Sequence, residues 1–363
     1  MRIFLISVLL LAGLGACMKD DELWDFERLD VEKSQGVFVV NEGNFTYGNA
    51  SLSFYDLNTG ELLNDVFFSS NALPLGDVAL SMTIRDSLAY VVVNNSGRIY
   101  VINSSTFQYV GKITGLTSPR HMHFVNENKA YVTDLYARAI TIVNPRSMEV
   151  TGVIDVSNPA GGYQQHSTEQ MLQHGKYVYT NCWSFDNQIL IIDSEKDELL
   201  DSIEVLKQPN SMAMDRKHNL WVLCDGGFEG SPYGSDIPGL MKIEAGSTEA
   251  VLVHSFEPGD KPTALHINGG GDTLWFLNQN LYRLPLEGSQ AQEPEMFIES
   301  PYGTGFNGGY YGLNIDPSTS EIYISDAVDY VQRGLVYRYA PNGLPLDTLR
   351  VGISPSAFCF KPE

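Results

Sequence analysis

One short pattern recurs along the chain and limits its fold more than any other feature: a β-rich run that stops at Asn or Asp. It stands at Val37-Phe38-Val39-Val40-Asn41, Tyr90-Val91-Val92-Val93-Asn94 and Ala130-Tyr131-Val132-Thr133-Asp134. It returns at Tyr177-Val178-Tyr179-Thr180-Asn181, Trp221-Val222-Leu223-Cys224-Asp225, Leu274-Trp275-Phe276-Leu277-Asn278 and Ile322-Tyr323-Ile324-Ser325-Asp326. There are seven copies, spaced about 40 to 50 residues apart. Val, Ile, Tyr, Phe and Trp closed off by a turn former is the composition of a strand. Helix signals are nearly absent.

Each run is followed by a loop and a further strand that ends in a turn. Examples are Ile99-Tyr100-Val101-Ile102-Asn103, Ile140-Thr141-Ile142-Val143-Asn144, Ile189-Leu190-Ile191-Ile192-Asp193 and Leu335-Val336-Tyr337-Arg338-Tyr339. A third strand comes next, as at 149–155 or 199–205. A different strand precedes each run and often opens with Pro, as at Pro119, Pro209, Pro262 and Pro355. Four strands per unit at this period predict a β-propeller. By length alone, 363 residues would suggest more than one domain; the repeat makes one domain over residues 36–363 the better reading. The chain enters at Gly36 directly into a second strand, and the stretch 356–361 supplies a spare first strand. An unpaired sheet edge is costly, so the last strand should complete the first blade. The expected fold is all-β, with seven blades of four antiparallel strands. A chain of immunoglobulin-type domains would need shorter, less regular spacing.

The first residues read as an address. Residues 1–16 carry Arg2 and an apolar run, 3–14, too short for the roughly 20 residues a spanning helix needs. This is a secretory leader. Leu14-Gly15-Ala16-Cys17 looks like a bacterial lipobox, which implies cleavage before Cys17 and lipidation of that Cys. Residues 17–35 then read as a tether. Its start, Met18-Lys19-Asp20-Asp21-Glu22, resembles the Lys-then-acidic surface-export signal of lipoproteins of the Bacteroides group. That implies the outer face of the outer membrane, held by lipid and not spanning it.

Lys+Arg number 23 against 44 Asp+Glu, a net charge of −21. So acidic a surface repels phosphate backbones and argues against a nucleic-acid partner. Beyond Cys17 there are Cys182, Cys224 and Cys359; an odd number gives no disulfide framework. None sits in a metal-binding spacing, so they are expected to pack as small apolar residues. His121 and His123 flank Met122 in a first strand, with no third ligand beside them, and are expected to be structural. HExxH, GxSxG, Walker and dinucleotide motifs are all missing. The reading is a non-enzyme with no cofactor and no metal.

In a propeller, the loops after the second strands and the loops between blades share one face around the axis. Asn41, Asn94, Asp134, Asn181, Asp225, Asn278 and Asp326 should ring that face, either as ligand contacts or as turn caps bonding their own backbone. The loops carry an aromatic in most blades. The nominated ligand-binding residues beyond the ring are Asn44, Phe45, Tyr47, Arg120, Tyr136, Arg138, Tyr163, His166, Trp183, Phe185, Phe228, Tyr233, Phe306, Tyr310, Tyr330 and Arg333. Rigid aromatics beside amides and Gly suit a large, partly apolar, hydrogen-bonding ligand. They could instead fold back as satellite packing under long loops.

The opening Val39-Val40-Asn41-Glu42-Gly43-Asn44-Phe45, with Ala50-Ser51-Leu52-Ser53-Phe54-Tyr55-Asp56, resembles the surface-lipoprotein propellers of Bacteroides, the surface-layer or YncE-like group. That group includes vitamin B12-capture lipoproteins, which pass cobalamin to a TonB-dependent transporter. The resemblance therefore implies a non-enzymatic capture protein for cobalamin or a related corrinoid, with that transporter as partner. A binder of a glycan, peptide or neighbouring protein is the alternative, and a lactonase-type propeller hydrolase a third reading.

Overall fold

The computed structural model describes residues 31, 33–159, 164–287, 293–302 and 309–362. They form seven four-stranded antiparallel sheets, one per repeat. In each blade the first strand lies innermost, and the first strands of neighbouring blades pack on one another around a central axis. These inner strands are Ala79–Arg85, Pro119–Asn126, Thr168–His174, Pro209–Met214, Thr263–Ile267, Tyr310–Ile315 and Pro355–Lys361.

The ring closes as the sequence predicts. Pro355–Lys361 pairs antiparallel with Gly36–Asn41, with Phe38 opposite Cys359 and Val39 opposite Phe358. Blade 1 thus takes its inner strand from the far end of the chain, which pairs the inner edge of Gly36–Asn41.

The recurring runs are the second strands. Gly36–Asn41 is buried at every position, and Leu220–Cys224 likewise. A strand with a neighbouring blade on each face has no polar side to show, so the run is continuously apolar rather than alternating. The outer strands face water; Glu149–Asp155 is exposed along most of its length. Seven apolar clusters result, each gripping two adjacent blades. Between blades 1 and 2, the rings of Phe38, Phe54 and Phe107 meet at 4.8–5.6 Å. Burying one such ring contributes about 1.5–3 kcal/mol. Between blades 7 and 1, Tyr323 packs on Phe358 and Phe360, so the closing strand is held by side chains as well as by its ladder.

Two details depart from the simplest repeat. The outer strand of blade 1 is only Leu62–Leu63, and a short helix, Val66–Asn71, follows it and packs against the strands Ser51–Asp56 and Tyr109–Ile113, with Val66 and Phe67 buried between blades 1 and 2. The docked chain also begins before Gly36. Val31 is buried in the cluster between blades 1 and 2, and Lys361 Nζ donates to the Ser34 carbonyl at 2.7 Å. The leader, Cys17 and most of the tether lie outside the described residues.

Candidate functional site: the loop face

The seven Asn/Asp residues stand at the ends of the second strands, on the face where the second-to-third loops and the inter-blade loops gather. Five of them, Asn41, Asn94, Asp134, Asn181 and Asp326, are buried. Their bonds divide by residue type. The amides reach across blades. Asn94 Nδ2 donates to the Pro119 carbonyl at 3.0 Å, Asn181 Nδ2 to the Pro209 carbonyl at 2.6 Å, and Asn41 Oδ1 accepts from Gly352 N at 3.0 Å. The carboxylates hold turns. Asp134 Oδ1 accepts from Tyr136 N and Ala137 N, its Oδ2 from Thr117 N and Ser118 N, and Asp326 Oδ1 from Val328 N. For Asn94 and Asn181 the bond required is a donation to a carbonyl, which an amide can make and an ionised carboxylate cannot; Asn41 bridges as an acceptor. Asn278 and Asp225 are half-buried. Asp225 takes Gly227 N at 2.8 Å and the Trp183 indole N–H at 3.1 Å, while burial pushes its carboxyl above the usual range.

Beyond this ring the nominated residues separate into sectors. Over blades 4 and 5 a group of aromatics assembles. Phe185 stands edge-on to Phe228 at 6.2 Å and tilted against Tyr233 at 5.1 Å, with Trp183 pinned to Asp225 beside them. Phe228 and Tyr233 are still exposed. The loop at 225–238 that carries them turns at Gly226, whose φ is +74° and where a Cβ would stand 2.3 Å from the Asp236 carbonyl oxygen. Only glycine fits there. Against this loop lies a cleft of about 550 Å³, lined by Asp225, Phe228, Glu229, Asp236, Ile237 and Lys261 among others.

Over blades 7 and 1 the aromatics are less braced. Phe45 is 67% and Tyr47 77% exposed. Asn44 Nδ2 donates to the Tyr330 carbonyl, and Tyr330 stands edge-on to Tyr311 at 5.5 Å. Tyr136, on blade 3, is exposed. The remaining nominees are engaged: Arg138 with Gln164, Arg333 with Asp65 at 3.0 Å, His166 with Asp186 at 2.7 Å, and Tyr310 with the Glu299 carbonyl at 3.3 Å. Tyr163 and Phe306 lie outside the described residues.

Arg120 belongs to a deeper layer. Its Nε meets both carboxylate oxygens of buried Glu169 at 2.8 Å. Its charge also acts on Glu42 of blade 1 and Tyr311 of blade 7, which share a 2.8 Å hydrogen bond. This polar floor crosses the axis below the loops. Burial raises the carboxyls of Glu42 and Glu169, and Arg120 opposes the shift in both. Glu42, Glu169 and Tyr311 were not nominated. With Arg120 they sit on four different blades, so no local pattern marks them. Below the floor runs an axial channel of about 670 Å³, lined in part by His121, His123 and His266. Burial drives the imidazole of His121 down to about 3 and that of His266 to about 4, so both are neutral at physiological pH. His123 hydrogen-bonds Gln173 at 2.9 Å.

Fold and site together define a closed seven-bladed propeller that presents a loop-built face around its central axis. The chain belongs to the family described as domain of unknown function DUF5074, which it matches over residues 35–345. No curated protein matches it. Solved structures with the same architecture include a quinonprotein alcohol dehydrogenase-like protein from Bacteroides thetaiotaomicron. It is 15% identical with a TM-score of 0.66, covering 90% of this chain and 78% of that one. A putative 6-phosphogluconolactonase from Bacteroides fragilis is 13% identical with a TM-score of 0.60, covering 91% and 98%. Apo AztD from Citrobacter koseri is 10% identical with a TM-score of 0.55, covering 90% and 98%. At these identities the likeness is one of fold.

Proposed function

We propose that this protein is a non-enzymatic lipoprotein of the outer-membrane surface that captures cobalamin or a related corrinoid on its loop face and delivers it to a TonB-dependent transporter. The observation that carries the reading is the braced aromatic group Phe185, Phe228 and Tyr233, of which Phe228 also lines the cleft of about 550 Å³. A corrinoid is a broad ring system with apolar faces and an edge of amides. Exposed rings held in place by other rings can cover such faces at little entropic cost, and the backbone and carboxylates of the 225–238 loop can bond its edge. Arg120, on an inner strand and paired to Glu169 of the neighbouring blade at 2.8 Å, sets a cation beside the axis, which opposes a metal ion there and favours binding over the lactonase-type reading. Lipidation at Cys17 would keep the propeller at the membrane without a spanning segment.

Calorimetric titration with cyanocobalamin tests the reading. One-to-one binding that is lost in the Trp183→Ala/Phe228→Ala double variant is the expected result. Absence of heat and of co-elution with the corrinoid would refute it. Exposed aromatics also suit a glycan, so heat on titration with oligosaccharides instead would establish the alternative.

A further inference from the structure

Beside the aromatic group, three side chains of differing chemistry converge at the top of blade 4. His166 comes from the inter-blade loop, Cys182 from the last position of Tyr177–Cys182, and Asp186 from the loop that follows. One donor atom from each lies within 4.8 Å of the others. We propose that His166, Cys182 and Asp186 form a binding site for a zinc-class transition-metal ion, with the fourth position left to water or a ligand group. This goes beyond the capture reading and does not depend on it.

The donor set is a mixed nitrogen, sulfur and oxygen trio, the chemistry that zinc accepts. Zinc would place neighbouring donors about 3.3–3.6 Å apart, given bonds of about 2.0–2.3 Å. The His166 and Asp186 donors are 2.7 Å apart and joined by a hydrogen bond, so they must open by under about 1 Å. The sulfur, within 4.8 Å of both, must close in by up to about 1.3 Å. The backbone around the trio is already fixed. His166 N donates to the Val156 carbonyl at 2.9 Å, Gln208 N to the Asp186 carbonyl at 2.8 Å, and Trp183 N to the Ser167 carbonyl at 3.0 Å. Asn187 N holds Asp186 Oδ1 at 2.7 Å, which leaves Oδ2 to turn from the imidazole to a metal. Such second contacts orient ligands in metal sites. The side chains of His166 and Asp186 are only 14% and 9% exposed, and Cys182 is fully buried. Burial, with Asp186 and Glu169 nearby, keeps the thiol protonated in the absence of a cation. A dication reverses that balance: the thiol proton leaves to solvent, the thiolate and carboxylate bind, and the imidazole binds neutral. A bound ion would also fix the 183–186 loop, and with it Trp183 and Phe185.

Co(II) titration of the purified protein reads the site directly, because a thiolate ligand gives an intense near-ultraviolet charge-transfer band. One equivalent should produce the band, and Zn(II) should abolish it by displacement. Cys182→Ser should lose the band while Cys224→Ser keeps it. Asp186→Asn, a milder change, should weaken Co(II) binding by at least about 10-fold with the fold intact by circular dichroism. No band in the unmodified protein overturns the proposal. So does a band that survives Cys182→Ser, or an affinity unchanged in Asp186→Asn.

Discussion

The loop face has two aromatic sectors that differ in how their rings are held. Over blades 4 and 5, Phe185, Phe228 and Tyr233 lean on one another, and the Trp183 N–H is tied to Asp225. Over blades 7 and 1, Phe45 and Tyr47 stand largely in water. Exposure alone therefore does not mark a binding surface. A ring that must be ordered on binding costs about 0.5–1.5 kcal/mol of side-chain freedom, and a ring already braced avoids most of that cost. On this ground the proposed capture reading assigns the affinity to the blade 4–5 sector and expects the blade 7–1 sector to contribute little.

The largest expected effect tests the floor that both sectors share. Arg120→Met leaves Glu169 buried without its cation and should destabilise the fold by about 3–5 kcal/mol, read from urea midpoints. A loss under about 1 kcal/mol would show that the floor is not a structural unit. Next comes the binding contrast. Trp183→Ala/Phe228→Ala should weaken cyanocobalamin binding by about 100-fold or more, on the scale of two interface hot spots. The matching pair over blades 7 and 1, Phe45→Ala/Tyr47→Ala, should change affinity by only a few-fold and stability by under about 0.5 kcal/mol. Equal losses from the two pairs would erase the distinction between sectors.

A smaller effect concerns Glu42, half-buried under the blade 7–1 sector where the Tyr311 hydroxyl donates to it at 2.8 Å. Its folded-state pKa is raised by burial, so ionising it costs more in the folded state than in the unfolded one. Its contribution therefore falls as pH rises from the ordinary carboxylate range through the raised value. Glu42→Gln should be more stable than the parent at pH 7.5, and the gap should shrink as pH is lowered toward 4.5. A gap that is constant with pH, or reversed, would show that the carboxyl titrates normally.

The architecture was readable because burial on both faces leaves a plain trace. Strands such as Gly36–Asn41 and Leu220–Cys224 carry continuous apolar runs closed by Asn or Asp, and their period counts the blades. The spare strand 356–361 told how the ring closes. The site was readable only by loop. That Trp183, Phe185, Phe228 and Tyr233 belong to one group depends on neighbouring blades bringing two distant loops together, which no local pattern records. The strand-end ring was seen as a set, but Asn94 and Asn181 stitch blades while Asp134 and Asp326 hold turns, and that division rests on which backbone groups lie opposite. Glu169 carried no signal, because its partner Arg120 sits on another blade. His166, Cys182 and Asp186 gave no metal-site signal although they meet at the top of one blade, because an inter-blade loop, a strand end and the loop after it supply them at separations that match no metal-ligand motif.

The most direct measurement is hydrogen–deuterium exchange of the protein with and without cyanocobalamin. Binding at the braced sector predicts added protection in peptides covering 183–187 and 225–238, with little change at 44–48 and 328–333. Protection at 44–48 and 328–333 in place of the blade 4–5 loops, or no protection anywhere on the loop face, would contradict it.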